Sequence, residues 1–326
     1  MALLSPGQKR IRRAIWLCAG LLVFLLFWWG LNRATAPFRE LRLVGGKLLE
    51  EQAARPLSQL RIGIWNMAHG RGLAGSNWSG GNREVRLERL RAIAGELKSR
   101  DLDVVVLNEV DFDSTWSDRV NQAQVIAREM GLANRAEQRN VDLALPFFKL
   151  RFGNVLLSRF PISDARVVGF PGYSGIETFL GGKKKGLLCT LDLPGKKKVR
   201  VLALHLEHRS EEVRISAARI IERVRTETDI PLIAAGDFNS TPREYPRATP
   251  DKSGQTAISL LLSAKGFKAA IKKSPSQSDF TFRSDAPRNA IDWVLAPPGW
   301  TILEHTPLDS RLSDHRPVIA RLSVPK

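Results

Sequence analysis

The sequence predicts one mixed α/β domain carried behind a membrane-spanning helix. Two observations predict the domain. Short apolar runs of strand character alternate with segments whose apolar residues recur at helical spacing, and both hairpin and crossover connections are readable between them. A third observation predicts the helix. Residues 14–31 form an uncharged apolar run of 18 residues, the length needed to cross a hydrocarbon core.

Lys9, Arg10, Arg12 and Arg13 precede that run, and Trp28 and Trp29 close it, where indole rings favour the interface. The run reads as an uncleaved, single-pass anchor. Its basic tail, 1–13, stays cytoplasmic, and everything after Leu31 lies on the other side, periplasmic or extracellular. A cleaved signal peptide is the competing reading. Ala34-Thr35-Ala36 resembles a cleavage site, but Pro37 would follow the cut and the apolar run is long for a signal. Residues 32–58, with mixed charge, Gly45-Gly46 and Pro56, read as a juxtamembrane linker. The folded domain is 59–326.

Within it, Leu60–Met67 is strand-like, and 70–81 is a loop rich in Gly, Ser and Asn. Arg83–Lys98 has Val85, Leu87, Leu90, Ile93, Ala94 and Leu97 at helical spacing. Strand 103–108 (DVVVLN), helix 120–130 ended by Gly131, and strand 153–158 (GNVLLS) follow. Strands 186–193 and 198–206 flank Pro194-Gly195, a hairpin signal. Helix 211–227 precedes the apolar run Leu232–Ala235, and helix 256–264 comes after it. Runs 290–296, 300–303 and 317–324 complete the strands.

Of 326 residues, 43% are hydrophobic and 25% charged, which excludes a disordered chain. The formal net charge is +17, and residues 1–36 supply five basic and no acidic groups, so the remainder carries +12. A basic surface favours anionic partners: nucleic acid, phosphorylated molecules or acidic headgroups. Lys183–Lys185 and Lys196–Lys198 read as a solvated hairpin face, with a patch for anionic membrane or nucleic acid as the alternative. Cys18 and Cys189 offer no disulfide framework, and no protein partner is readable.

Polar residues interrupt the strand ends. In PLIAAGDFNSTP (231–242), Asp237 and Asn239 sit two apart just past an apolar run. If the extended chain continues, a carboxylate and a carboxamide point at one spot. A strand-to-turn cap explains the same residues. Asn66 ends the first strand, Glu109 follows VVVLN, His205 stands between Leu204 and Leu206, Asp292 lies within an apolar run, and Asp314-His315 leads into the last strand. A carboxylate is costly to bury unless it is paired or binds a cation. Convergence of these residues on one sheet edge is the simplest account of them.

Their order and contexts resemble the endonuclease/exonuclease/phosphatase superfamily, which contains DNase I-like nucleases, AP endonucleases, inositol polyphosphate phosphatases and neutral sphingomyelinases. The matching stretches are IWNMAHG (64–70), DVVVLNEVD (103–111), NVLLSRFPI (154–162), ALHLEH (203–208), AAGDFNSTP (234–242), AIDWVL (290–295) and SDHRPV (313–318). They cover roughly residues 60–324 in family order. The resemblance implies a DNase I-like four-layer α/β sandwich, two mixed sheets face to face with helices outside. It implies Mg²⁺, with Mn²⁺ a substitute, on Glu109, Asn66 and Asp314. His315 would be the general base or contact the phosphate, oriented by Asp292; Asp237 and Asn239 would contact nucleophile, phosphate or a second metal; His205 would stabilise phosphoryl oxygens. His69 and Arg159 are candidates for substrate binding.

The function implied is a membrane-anchored phosphodiesterase (EC 3.1) of nuclease type acting on an anionic phosphoester. The alternatives are a sphingomyelinase-like or inositol-phosphatase-like hydrolase and a catalytically silent binding protein. Departures from the family pattern are Asn108, where Gln is usual, and the absence of the aromatic-rich block that AP endonucleases carry before the AIDWVL strand, which argues against AP-site specificity.

Overall fold

The computed structural model describes residues 5–45, 57–175, 183–262 and 266–325. Parts of three expected elements lie outside them: 46–56 of the linker, the middle of the 170–186 loop and the end of the helix expected to reach 264.

The chain opens with helix Pro6–Thr35 (α1), capped by Ser5, whose hydroxyl accepts from Gln8 N while the Gln8 side chain accepts from Ser5 N. It is long and apolar enough to cross a membrane, and none of its most apolar stretch is buried against the protein. The domain begins earlier than expected. Leu41–Val44 (β1), inside the 32–58 linker, pairs antiparallel with Asn134–Ala144 (β4). Half-buried Leu41 packs against the core, so this part of the linker is a sheet edge.

Seven strands form one sheet in the order β1-β4-β5-β3-β2-β12-β11. The further members are Gln59–Asn66 (β2), Val104–Asp111 (β3), Lys149–Ser158 (β5), Ile302–Pro307 (β11) and Val318–Ser323 (β12). Five form the second, β10-β9-β8-β7-β6: Ile162–Gly169 (β6), Lys185–Leu193 (β7), Lys197–His205 (β8), Leu232–Asp237 (β9) and Asp292–Leu295 (β10). Both sheets are mixed, because β2 runs parallel to β3 and β8 parallel to β9 while their neighbours are antiparallel.

Apolar side chains from both inner faces, such as Ile62, Val106, Val201 and Ile233, make the central core. Helices Arg83–Lys98 (α2) and Gln122–Met130 (α3) cover the outside of the first sheet, where Leu90, Ile93 and Ile126 pack on Val105 and Leu107. Helices Glu211–Thr226 (α4) and Ala257–Leu261 (α5) cover the second, with Ala218, Ile221 and Leu261 against Leu202 and Leu204. The result is the expected four layers. Burying each such Leu or Ile is worth about 1.5–3 kcal/mol. Caps fix where the helices start: Asn82 accepts from Val85 N, and Ser210 from Val213 N.

The sheets are also joined by a buried polar chain. Asn108 Oδ1 accepts from Asp237 N at 3.0 Å, Asn108 Nδ2 donates to Asn154 Oδ1 at 2.8 Å, and Asn154 Nδ2 donates to Gln138 Oε1 and to the Lys185 carbonyl. The unusual Asn108 therefore ties β3 to β9 directly beside the polar strand ends.

Candidate active site

Parallel β2 and β3 end at the same edge, so Asn66 and Asn108 are register partners. One residue later β3 bulges: its pairing with β5 slips between Leu107 and Val110, and Glu109 takes φ +50°. The expected strand end at 108 is thus a bulge, and the strand continues to Asp111. Bulges re-aim side chains beside functional sites, and this one turns Glu109 toward the second sheet.

That sheet delivers His205 from the end of β8, Asp237 from the end of β9 and Asp292 from the start of β10 to the facing edge. Asp292 and Asp237 are register partners. Asp314 and His315 arrive just before β12. Trp65 Nε1 donates to the His315 carbonyl at 2.9 Å and Ser313 Oγ to the Asn66 carbonyl at 2.7 Å, which pins that turn to β2.

His315 Nδ1 lies 2.9 Å from Asp292 Oδ2, and its Nε2 is 3.8 Å from Asp237 Oδ2. His205 Nε2 lies 3.5 Å from the same Asp237 oxygen and 3.8 Å from Glu109 Oε1. Asn66 Nδ2 donates to Asp237 Oδ2 at 3.0 Å. Asp237 Oδ1 accepts from Asn239 N at 2.9 Å. The chain does not stay extended past Asp237: Asn239 has φ +49°, and its Nδ2 donates to the Leu206 carbonyl. The cap reading of 231–242 describes the turn, and the expected joint aim of Asp237 and Asn239 fails because the chain turns between them; Asp237 alone of the two faces His205 and His315.

Burial pushes the Asp237 carboxyl up to about 7, helped by its neighbour Asp292 and only partly offset by His315. Burial would lower His315, but Asp292 and Asp237 outweigh it and raise the imidazole to about 10. Burial and the Lys184 ammonium hold His205 well below its usual value. Burial would raise Glu109; His69, His205 and Lys184 around it reverse that and hold it well below the usual carboxylate range. Near neutrality the geometry therefore pairs an imidazolium at 315 with an Asp237 carboxyl poised to exchange a proton.

His69 joins the group. Its Nε2 lies 3.4 Å from Glu109 Oε2, and its Nδ1 lies 2.8 Å from Asp111 Oδ1, whose other oxygen accepts from Trp116 Nε1 at 2.8 Å. Trp116 and Phe152 meet the ring edge-to-face at 5.1 and 4.8 Å. Arg159 does not join. It pairs with Asp101 at 2.6 Å and Asp103 at 3.2 Å, at the opposite end of the sheet, because β5 runs antiparallel to β3.

Four residues were missed by sequence reasoning: Asp111, Trp116, Arg71 and Lys184. Arg71 Nη2 donates to Asp314 Oδ2 at 2.5 Å and Nη1 lies 3.9 Å from Glu109 Oε2, while Lys184 Nζ is 3.1 Å from His205 Nε2. Asp111 carried a signal as the last residue of DVVVLNEVD, and Lys184 as the middle of the Lys183–Lys185 run, which reads as a solvated face but turns this ammonium to His205.

Two donor sets could hold a cation. Glu109 and Asp314 present hard carboxylate oxygens with the Arg71 guanidinium between them as a stand-in positive charge, a pair that fits a hard divalent ion, while the Asn66 carboxamide oxygen accepts from Ala68 N at 3.0 Å. Ligand atoms of Asp237, Asp292 and His315 also lie within 4.8 Å of one another. In that second set His315 Nδ1 is already engaged by Asp292.

Residues 63–315 match the model of the Endonuclease/Exonuclease/phosphatase family. No curated protein matches the chain in sequence. Among solved structures, an endonuclease/exonuclease/phosphatase from Beutenbergia cavernae is 21% identical with a TM-score of 0.61, over 82% of this chain and 72% of that one. The human Nocturnin catalytic domain is 16% identical with a TM-score of 0.57, over 87% of this chain and 98% of that one. A mannosyl-6-phosphatase from Bacteroides thetaiotaomicron is 14% identical with a TM-score of 0.56, over 81% and 99%. At these identities the likeness speaks to the fold.

Proposed function

We propose, from the premise that this chain belongs to the endonuclease/exonuclease/phosphatase family, that it is a membrane-anchored, metal-dependent phosphodiesterase. The observation that carries this reading is the meeting of Asp237 and the His315–Asp292 pair with Glu109 across the edges of both sheets. Glu109, Asn66 and Asp314 would hold Mg²⁺, with Mn²⁺ a substitute, and the bound ion supplies neutralisation of phosphoryl charge.

Asp237 is the group to accept a proton from the attacking water, since its carboxyl, raised to about 7, is half ionised near neutrality. This favours Asp237 over His315 as base: an imidazole held protonated to about 10 is a donor. His315 would donate from Nε2 to a non-bridging phosphoryl oxygen, with Asp292 on Nδ1 fixing the ring. Such a donor is typically worth ~3 kcal/mol of barrier. His205 lies between Glu109 and Asp237 and would hold a second phosphoryl oxygen. The orientation of α1, with the domain outside the cytoplasm, is supported by the basic residues at 9–13.

Two substrate readings follow. The nuclease type rests on the surplus of basic residues; a membrane-borne phosphoester rests on the seating of α1 against β4. The protein should hydrolyse bis(p-nitrophenyl) phosphate and stop on chelation with EDTA. Glu109→Ala and His315→Ala should each abolish turnover with folding unchanged by circular dichroism. Retained activity in both variants would sink the site assignment, and chelator-resistant turnover the metal dependence.

A further inference from the structure

The β4–β5 hairpin rises past the catalytic edge. β5 runs antiparallel to β3 with Phe152 opposite Asp111, so the hairpin tip Leu145–Phe148 extends beyond the end where β3 delivers Glu109. From Phe148 to Phe152, whose ring packs on His69, is about 13 Å at the strand rise.

The tip has the wrong composition for a solvated turn, which favours Gly, Asn and Asp. Leu145 and Phe148 exchange backbone hydrogen bonds of 2.7 and 3.3 Å across exposed Pro146-Phe147. Phe147 is 68% exposed. Trp78, from the loop that also supplies Arg71, is 61% exposed and stacks on Phe148 at 6.4 Å. Single exposed apolar residues are ordinary, but aromatics gathered at one rim mark a contact.

Continuity with α1 says what covers them. Trp28 Nε1 donates to the Ala144 carbonyl at 2.7 Å, one residue before the tip. The tip therefore stands level with the tryptophans that close the apolar run of α1. Next to the uncharged tip the surface becomes cationic. Arg39, Arg139 and Arg151 all contact Asp142, at 2.9, 2.8 and 2.8 Å, and Arg151 also lies 4.0 Å from Asp113, which leaves three guanidiniums for two carboxylates. A hollow of about 230 Å³ adjoins them, lined by Trp29, by the cations Arg33, Arg139 and Lys185 and by the carboxylates Glu40 and Asp142, with Glu40 paired to Lys185. An apolar tip followed by a cationic belt follows the profile of a bilayer from hydrocarbon to phosphate.

We propose that the hairpin tip is a second membrane contact. Together with α1 it holds the catalytic edge over the headgroups of the bilayer that α1 spans, so that the substrate is a lipid phosphodiester. The chemistry rests on the phosphodiesterase reading above; the docking does not.

The test uses full-length protein in vesicles of phosphatidylcholine and phosphatidylglycerol. A nitroxide on Phe147→Cys, in a Cys18→Ser background, should be accessible to oxygen and shielded from a water-soluble nickel chelate. Accessibility to the chelate would overturn the docking surface. The double variant Phe147→Ser, Trp78→Ala should lower hydrolysis of the vesicle lipids about tenfold and leave kcat/KM on bis(p-nitrophenyl) phosphate unchanged. Equal lipid turnover in the variant, or preferential cleavage of a single-stranded oligonucleotide by the wild type, would overturn the lipid assignment. Hydrolysis of no ester at all would remove the phosphodiesterase reading, while the nitroxide would still decide the docking.

Discussion

Asp237 and Asp292 face each other across β9 and β10, and His315 is the cation nearest both. Burial, with the like charge of Asp292 added to it, raises Asp237 to about 7, while at His315 the attraction of the two carboxylates outweighs burial and raises the imidazole to about 10. The signs give a bell-shaped profile. kcat/KM should climb as pH rises through about 7, where Asp237 loses its proton, and fall as pH rises through about 10, where His315 loses its own. Asp292→Asn removes a like charge from Asp237 and a counter-charge from His315. Both limbs should move to lower pH, and kcat should fall. Limbs that stay in place, read from pH–rate profiles of the two proteins, would sink this assignment of roles.

The strand that opens onto Asp237 depends on one glycine. Gly236 has φ +134°, and a Cβ there would lie 2.1 Å from the Leu204 carbonyl oxygen and 2.9 Å from Asn108 Oδ1. β9 can then approach β8 and accept the Asn108 bridge only without a side chain. Gly236→Ala should cost about 3 kcal/mol of stability from overpacking and backbone strain, and it should lower activity further by moving Asp237. Urea denaturation checks the first; a variant as stable as wild type would show that β9 yields. The same element scale decides what could be read from sequence. β2, β3, β8 and β9 were legible because buried strands are continuous apolar runs. β4 was not, since its buried positions include Glu137, Gln138 and Asn140: Glu137 pairs with Arg135 and Gln138 with Asn140 along the same strand, and Asn140 accepts from Lys185 N of the second sheet. β6 is an edge strand with little burial, so its pattern is weak. The site residues were legible where a polar group broke an apolar run. Arg71 and Lys184 come from loops, where no such contrast exists.

At the scale of the whole molecule, the apolar N-terminal helix and the domain behave as separate pieces in the sequence and as joined ones in the fold. The expected 32–58 linker hid this, because the joint is made by long-range pairs: Trp28 with Ala144, and Arg39 with Asp142. Asp142 is the centre of that joint. Burial would raise its carboxyl, but hydrogen bonds from Arg39 and Arg151 reverse this and lower it. A lowered carboxylate stabilises the joint above its unfolded value, about 3.9, and loses that contribution only as pH falls through its folded value. The joint should thus hold at neutral pH. Asp142→Ala leaves Arg39, Arg139 and Arg151 facing one another with only Asp113, 4.0 Å from Arg151, as a counter-charge. Removing one partner of a buried pair costs about 3–5 kcal/mol, and the exposure of these arginines, up to 31% at Arg39, places the expected loss below that range. Trypsin should then cut faster at Arg33, Arg39 or Arg42, and Asp142→Glu should restore part of the protection. Hydrolysis of a soluble diester should stay unchanged, since Asp142 touches no site residue. Unaltered proteolysis in Asp142→Ala would mean that α1 is held by its backbone connection alone.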